Sequence, residues 1–251
     1  LFDALYSSNS IIQYKRERVR KLVLQQLKSN SYILELNAGT GEDAVFFAQH
    51  NQAVHATDIS EGMQEMLVNK IKHHLQNKIT YELCSFTSLE KLQCKGPYDL
   101  IFSNFAGLNC TGKLDKVLSD FSPLLKPGGI AILVLMPPFC LWEFLFIFKG
   151  KWKTAMRRFF SKSGATAHIE GTYFKCWYYR PSFITNYLKN SFDLLNVEGL
   201  CTIVPPSYLE NFPEKHNKLY RFLQEKENKL KSKWPWKYVG DYFIISLKRK
   251  G

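Results

Sequence analysis

Between Tyr32 and Gln49 the chain passes from a short apolar run, through two glycines, into an amphipathic stretch, and no other feature constrains its fold as tightly. Tyr32-Ile33-Leu34-Glu35-Leu36 reads as a strand, the segment with Gly39 and Gly41 as a tight turn, and Ala44 to Gln49 as a helix. The unit then repeats. Ala53–Thr57 is a second strand, followed by a helix opened by Ser60 and running to about His73. Ile79–Leu83 and Tyr98–Phe102 are the third and fourth strands, the latter after a Gly96-Pro97 turn. A helix over Lys113–Leu125 is closed by Lys126-Pro127-Gly128-Gly129 and leads to an uninterrupted apolar strand, Ile130–Met136. Such runs suit parallel strands covered on both faces, so the expected class is α/β: a doubly wound, mostly parallel sheet with helices on both faces.

Ahead of this core, apolar residues at 12, 19, 22, 23 and 27 make an amphipathic helix of Ile11–Leu27. Residues 137–180 break the alternation with an aromatic and basic insertion. A helix from Pro181 to Lys189, a strand near Leu194–Leu200, a charged helix from Glu214 to Lys233 and a last strand, Tyr242–Leu247, follow. The expected organisation is a core over 1–136, an inserted lid over 137–180, and a C-terminal part over 181–251 that completes the sheet.

At 251 residues and 45% hydrophobic composition the chain can bury a full core. Six cysteines without a C-x-x-C pair or zinc spacing read as reduced packing residues, and no metal is expected. The apolar stretch Ile130–Phe148 holds Pro137, Pro138 and Glu143, which argues against a membrane span, and no export signal opens the chain. A cytoplasmic location is the expectation. The net charge of +12 lies wholly in residues 148–251, with 20 Lys/Arg and 8 Asp/Glu, whereas residues 1–147 hold 14 of each. That excess is either a solvated basic face or a field for an anionic partner.

In an open parallel sheet the ligand crevice lies beyond the carboxyl ends of the strands, at the first strand-to-helix turn. Here that turn is Glu35-Leu36-Asn37-Ala38-Gly39-Thr40-Gly41-Glu42-Asp43. Two glycines let the backbone approach a ligand, and Asn37 tolerates left-handed geometry. A pyrophosphate at the helix N-terminus would meet Glu42 and Asp43, and the third glycine of G-x-G-x-x-G is missing, so NAD and FAD are disfavoured. A cationic cofactor without phosphate fits: S-adenosylmethionine (SAM), with S-adenosylhomocysteine as product. Asp58, ending the second strand, either accepts from both ribose hydroxyls or caps the next helix, a task Ser60 also suits; Ile59 and Met63 offer apolar surface to adenine.

The sequence resembles the class I, Rossmann-like SAM-dependent methyltransferases, in particular the small-molecule group related to ubiquinone and biotin-pathway enzymes. The matching text is Leu34 to Ala44, Ala56-Thr57-Asp58-Ile59-Ser60-Glu61-Gly62-Met63, Tyr98 to Phe105, and Leu124-Leu125-Lys126-Pro127-Gly128-Gly129, with Phe2-Asp3 and Gly240-Asp241-Tyr242-Phe243 at the ends. The resemblance implies seven strands, the last inserted beside the fifth. It places Glu35, Ala38, Gly39 and Gly41 around the methionine part of SAM, Asp58 and Ile59 at ribose and adenine, Ser85 and Phe86 at the adenine edge, and Ser103 and Asn104 facing the sulfonium. Asn37 stands where the family has its first glycine, and Ser85-Phe86 where it often has an acid.

Methyl transfer from a sulfonium needs placement more than a catalytic side chain, so the lack of a triad says little. Ser103-Asn104-Phe105-Ala106 lacks the Asp/Asn-Pro-Pro-Tyr/Phe text of nucleobase amine methylation, and no acidic cluster follows the fourth strand for magnesium. The insertion sets an apolar block, Phe139 to Phe148, beside Lys149, Lys151, Lys153, Arg157 and Arg158. This suits a lid over a lipophilic acceptor, peripheral contact with an anionic membrane, or a lid packed on its own domain with a solvated flank. Phe105, Trp142, Tyr173 and Tyr178 are candidate acceptor contacts, and His168 a candidate general base. The expected reaction is methylation, on oxygen, of a small apolar or aromatic molecule. RNA methylation is the alternative raised by the basic C-terminal part, though the lid aromatics are not interleaved with its charges. A SAM-binding module without catalysis is a third reading. The oligomeric state is left open.

Overall fold

The computed structural model describes residues 8–71, 75–150, 152, 156–159, 163–169 and 172–251. Seven strands form one sheet: β1 (Tyr32–Leu36), β2 (Ala53–Asp58), β3 (Ile79–Leu83), β4 (Tyr98–Ser103), β5 (Leu125–Leu135), β8 (Phe192–Leu200) and β9 (Tyr242–Arg249). Their order is β3-β2-β1-β4-β5-β9-β8, with β9 antiparallel to both neighbours and the other pairs parallel. The final strand is thus inserted beside the fifth, as expected.

Period-two alternation in the strands sorts side chains onto two faces. On one face Ile33, Leu100, Phe102 and Ile132 pack with Val19 and Val23 of α1 (Ser10–Gln26), Phe47 of α2 (Glu42–Gln49) and Leu67 of α3 (Glu61–Lys70). On the other, Leu34, Leu36, Ile101 and Leu133 pack with Leu114, Val117 and Leu118 of α4 (Leu114–Ser119), Phe121 of α5 (Phe121–Leu124), and Ile184 and Leu188 of α7 (Pro181–Leu188). Alternation therefore sends Glu35 to the face of Ile33, beneath α1 and α2.

Two helices differ from the sequence reading. The helix expected over Lys113–Leu125 is divided at Asp120 into α4 and α5, because Pro123 cannot donate and its ring crowds the carbonyl one turn earlier. The strand expected at Ile130 already begins at Leu125, and the β4/β5 register shifts between Tyr98 and Leu100 to take up the Pro-Gly-Gly turn. The charged C-terminal helix is broken at His216 (φ −135°) into α8 (Phe212–Lys215) and α9 (Asn217–Leu230). One carboxylate fixes α9 to the sheet end. Glu227, fully buried, accepts from the backbone N–H groups of Cys201, Thr202, Ile203 and Val204 and from Arg18 at 2.7 Å.

The insertion contributes α6 (Leu141–Leu145) and an antiparallel hairpin, β6 (Ala165–Ile169) with β7 (Thr172–Cys176), outside the main sheet. Its basic flank is not wholly solvated. Arg158 is 2% exposed and donates to Glu143 at 2.7 Å and Asp241 at 2.8 Å, while Arg157 donates to both oxygens of Glu143. The Arg158 guanidinium faces inward because Glu143 and Asp241 are buried acids needing partners, whereas Arg157 reaches Glu143 from the surface. Cys140, Glu143 and Asp241 lie close enough to share a cation, and that place is taken by Arg158. Among the described residues no helix is long and apolar enough to cross a membrane.

Candidate active site

At the carboxyl ends of β1 and β4 the chain folds around a cavity of about 380 Å³. Asn37, Gly39 and Gly41 all take positive φ (48°, 57° and 76°), which curls the loop so that α2 begins directly beneath it. At Gly41 a Cβ would overlap Leu67 of α3, so glycine is required there by packing as well as by φ. On the opposite wall Phe105 and Ala106 are also left-handed (φ 47° and 59°), an uncommon pair of non-glycine residues that turns the chain back after β4. Asn37 joins the walls: its carboxamide donates to the Asn104 carbonyl at 3.1 Å and accepts from the Ser103 hydroxyl at 2.6 Å.

The cavity floor is acidic and its roof basic. Asp43 accepts from Arg20 at 2.6 Å and from the Asn104 amide at 2.8 Å, and Glu42 accepts from Arg16 and Lys70. Glu35 is fully buried, and its Oε2 has no hydrogen-bond partner among the described residues. Burial, and then the neighbouring Asp43 carboxylate, push the Glu35 carboxyl well above the usual carboxylate range, against the pull of Arg20 and Arg16. Arg16 enters from α1 with a buried Nε that also lacks a partner, and its guanidinium lies 5.1 Å from the Phe105 ring centroid. An unpartnered oxygen of Glu35 and the free Nε of an Arg16 guanidinium otherwise paired with Glu42 face one cavity, and together they match a zwitterion, the form of an amino-acid headgroup.

Asp58 sits at the end of β2, where its Oδ2 accepts from the Gly39 N–H at 2.8 Å and its Oδ1 from the Ser60 N–H at 3.0 Å. Ser60, not Asp58, caps α3 by accepting from Met63 N–H. The Asp58 carboxylate keeps lone pairs for hydroxyl donors.

Of the residues anticipated for the cofactor, Glu35, Asn37, Ala38, Gly39, Met63 and Asn104 line the cavity, as does Phe105 from the acceptor set. Gly41 and Ser103 are not among its lining residues, and Asp58 lines an adjoining pocket together with Ala38 and Gly39. Ile59, 73% exposed, stands beside it on the surface. Ser85 and Phe86 do not line it: Ser85 caps the turn at Thr87, and Phe86 packs on the core. Arg16, Thr40, Gly107 and Cys110 line it without having been singled out. Arg16 and Arg20, one helical turn apart on α1, were the legible signal, since together they oppose the acidic loop.

The acceptor candidates are scattered. Trp142 is partly buried with its indole N–H unpartnered, Tyr178 lies beneath the Arg158 guanidinium at 5.2 Å, and Tyr173 on the hairpin is exposed. Trp177 and Tyr179 serve packing: Asn109 bridges the backbones of Met136 and Trp177, and the Tyr179 hydroxyl donates to the Thr111 carbonyl. The His168 backbone pairs with Tyr173 in the hairpin, and its side chain lies outside the described residues.

Residues 33–129 match the model of a methyltransferase domain. No curated protein matches the sequence. The fold is shared with a SAM-dependent methyltransferase from Listeria monocytogenes (18% identity, 94% of this chain and 97% of that one, TM-score 0.64). It is shared too with the 1,6-didemethyltoxoflavin-N1-methyltransferase of Burkholderia thailandensis, whose structure holds its substrate and S-adenosylhomocysteine (12%, 94% and 79%, 0.55). A third likeness is phosphoethanolamine N-methyltransferase 2 of Haemonchus contortus with SAM (16%, 94% and 53%, 0.60). Residues 33–129 thus carry a methyltransferase domain, on the fold that these SAM-dependent enzymes share.

Proposed function

We propose that this SAM-dependent methyltransferase methylates oxygen on a small, apolar or aromatic molecule received between Phe105 and the insertion. The residues that would hold SAM are Glu35 and Arg16 for the amino-acid end, the 37–41 loop for the backbone approach, and Asp58 with Met63 for ribose and adenine. Bound there, SAM supplies an electrophilic methyl on a sulfonium that departs as a neutral thioether.

The observation that carries the acceptor reading is the commitment of Asn104. Its amide donates to Asp43 at 2.8 Å and its Oδ1 accepts from the Phe105 N–H at 2.8 Å, so the protein already fixes both ends and each keeps a single further hydrogen-bond position for an incoming group. Beside it, the Phe105 ring has two cations near its face, Lys15 at 5.8 Å and Arg16 at 5.1 Å from the centroid. A cationic wall stabilises a phenolate or carboxylate and repels an ammonium, so an oxygen nucleophile is favoured. The chain's own work is to bind, to align the acceptor on Phe105 and to exclude water; a side-chain base is needed only for a weakly acidic hydroxyl. His168 stays a proposal for that base, with Trp142, Tyr173 and Tyr178 as proposed acceptor contacts. Phe148, 83% exposed, and the exposed Trp152 on the insertion support contact with a lipid surface, from which an apolar acceptor would come.

The experiment is transfer of tritiated methyl from SAM to a panel of phenols, lipophilic carboxylates, amines and mixed RNA. Label in the neutral, solvent-extractable esters or ethers of the first two classes supports the reading, and label in RNA or amines would replace it.

A further inference from the structure

A second cavity, of about 520 Å³, lies on the flank of the sheet and shares no lining residue with the SAM cavity. It is within the size range of small-molecule sites, roughly 300–1,000 Å³. Its body is apolar: Pro137 and Phe139 at the start of the insertion, Phe159 further along it, Val197 of β8, and Tyr238 and Val239 before β9. Phe139 and Phe159 meet edge to face, with centroids 5.8 Å apart, and so form a rigid wall.

One side is different. Arg180, Ser182 and Thr185 line the cavity from the first turn of α7. Arg180 is exposed and makes no ion pair or side-chain hydrogen bond among the described residues, unlike Arg157 and Arg158, whose charges are spent on Glu143 and Asp241. No side chain caps α7; Pro181 has no N–H and the Phe183 N–H donates to the Arg180 carbonyl at 3.0 Å, so the charge on this side is that of Arg180. An apolar chamber with an unspent guanidinium at one end is complementary to an amphipathic monoanion.

We infer that this cavity is a ligand site, separate from the SAM site, for a medium-chain carboxylate: the hydrocarbon lies between Phe139, Phe159 and Val197, and the carboxylate meets Arg180. The inference stands independently of the acceptor reading, because it depends on no residue of the SAM cavity.

The test is a fluorescence titration of the whole chain with dansyl-undecanoic acid, displaced by dodecanoate or by dodecanol, with SAM binding measured in parallel as the check of folding. Expected are saturable, blue-shifted emission and displacement by dodecanoate at about tenfold lower concentration than by dodecanol, the advantage of one charge-assisted contact. Arg180→Gln should remove that advantage, and Val197→Trp, which fills the chamber, should abolish probe binding while SAM still binds. If Val197→Trp loses SAM binding as well, Leu194→Trp at the rim of the cavity takes its place. The inference is overturned by the absence of saturable binding, by equal displacement with acid and alcohol, or by probe binding that survives the folded tryptophan variant.

Discussion

Asn37 and Gly107 occupy one another's space: a Cβ built on Gly107 would overlap the Asn37 carboxamide. The Asn37 side chain is held there by Ser103 and by the Asn104 carbonyl, so the glycine after β4 is what allows the loop after β1 to be tied down. Gly107→Ala must push Asn37 out of both hydrogen bonds. SAM affinity should fall by about 1–3 kcal/mol, the usual range for overpacking, with the far-ultraviolet circular dichroism unchanged. Equal SAM affinity in the alanine variant would mean the two walls are not coupled through this pair.

Asp58 fixes the Gly39 N–H, and the proposed function gives it the ribose as well. Asp58→Ala should weaken SAM by about 1–3 kcal/mol, because a charged acceptor is lost. Asp58→Asn keeps one acceptor for Gly39 yet loses the charge, so it should fall between wild type and alanine. A calorimetric titration separates the three. An alanine variant that binds SAM as wild type would assign Asp58 to the loop alone.

Glu35 makes both stability and binding depend on pH. Its carboxyl titrates well above the ordinary value of 4.5 in the empty protein. Below 4.5 it is protonated in the folded and the unfolded chain alike. From there up to its raised pKa the unfolded chain releases a proton that the folded chain retains, so stability falls through this window and is constant beyond it. Glu35→Gln should therefore melt like wild type in acid and several degrees higher at neutral pH, each kcal/mol being worth about 2–4 °C in a chain of this size. SAM should show the reverse. Its ammonium favours the ionised carboxyl, so affinity rises with pH through the same window in wild type and not in the glutamine variant. Parallel melting curves at every pH would remove Glu35 from this role.

Much of the core was legible because its signals are local. Each strand is an apolar run, each turn has its glycines, and Asp58 stands one crossover beyond the glycine loop. What was not legible depends on partners distant in sequence. Ser85 and Phe86 fell at the expected place after β3 but turn to a cap and to the core. Arg157 and Arg158 look like surface charge until Asp241, 83 residues from Arg158, is brought beside them by β9. The division of the Lys113–Leu125 helix was foreshadowed by Pro123, whose effect the apolar periodicity outweighed. Arg16 belongs to the cavity because α1 crosses above Glu35, a matter of packing at which only its one-turn spacing from Arg20 hints.

Arg158 ties the insertion to the sheet, and its loss would leave buried Glu143 with Arg157 and buried Asp241 with Lys15, 3.9 Å away. Arg158→Ala should cost about 3–5 kcal/mol of stability, as breaking buried pairs does, and Arg158→Lys should not restore it because one ammonium cannot reproduce the forked contacts. Denaturant unfolding gives the comparison. A cost below about 1 kcal/mol, the level of surface pairs, would show that the insertion is not clamped at this point.

An acidic glycine loop, the unpartnered Oε2 of Glu35 and the unpartnered Nε of Arg16 are complementary to an amino-acid sulfonium and hostile to phosphate. Isothermal calorimetry of the folded chain against SAM, S-adenosylhomocysteine and NAD measures this directly. The prediction is one site for each of the first two, lost together in a Glu35→Ala, Arg16→Ala double variant, and no heat with NAD. Binding of NAD in place of SAM, or SAM binding that is indifferent to the double variant, would contradict it.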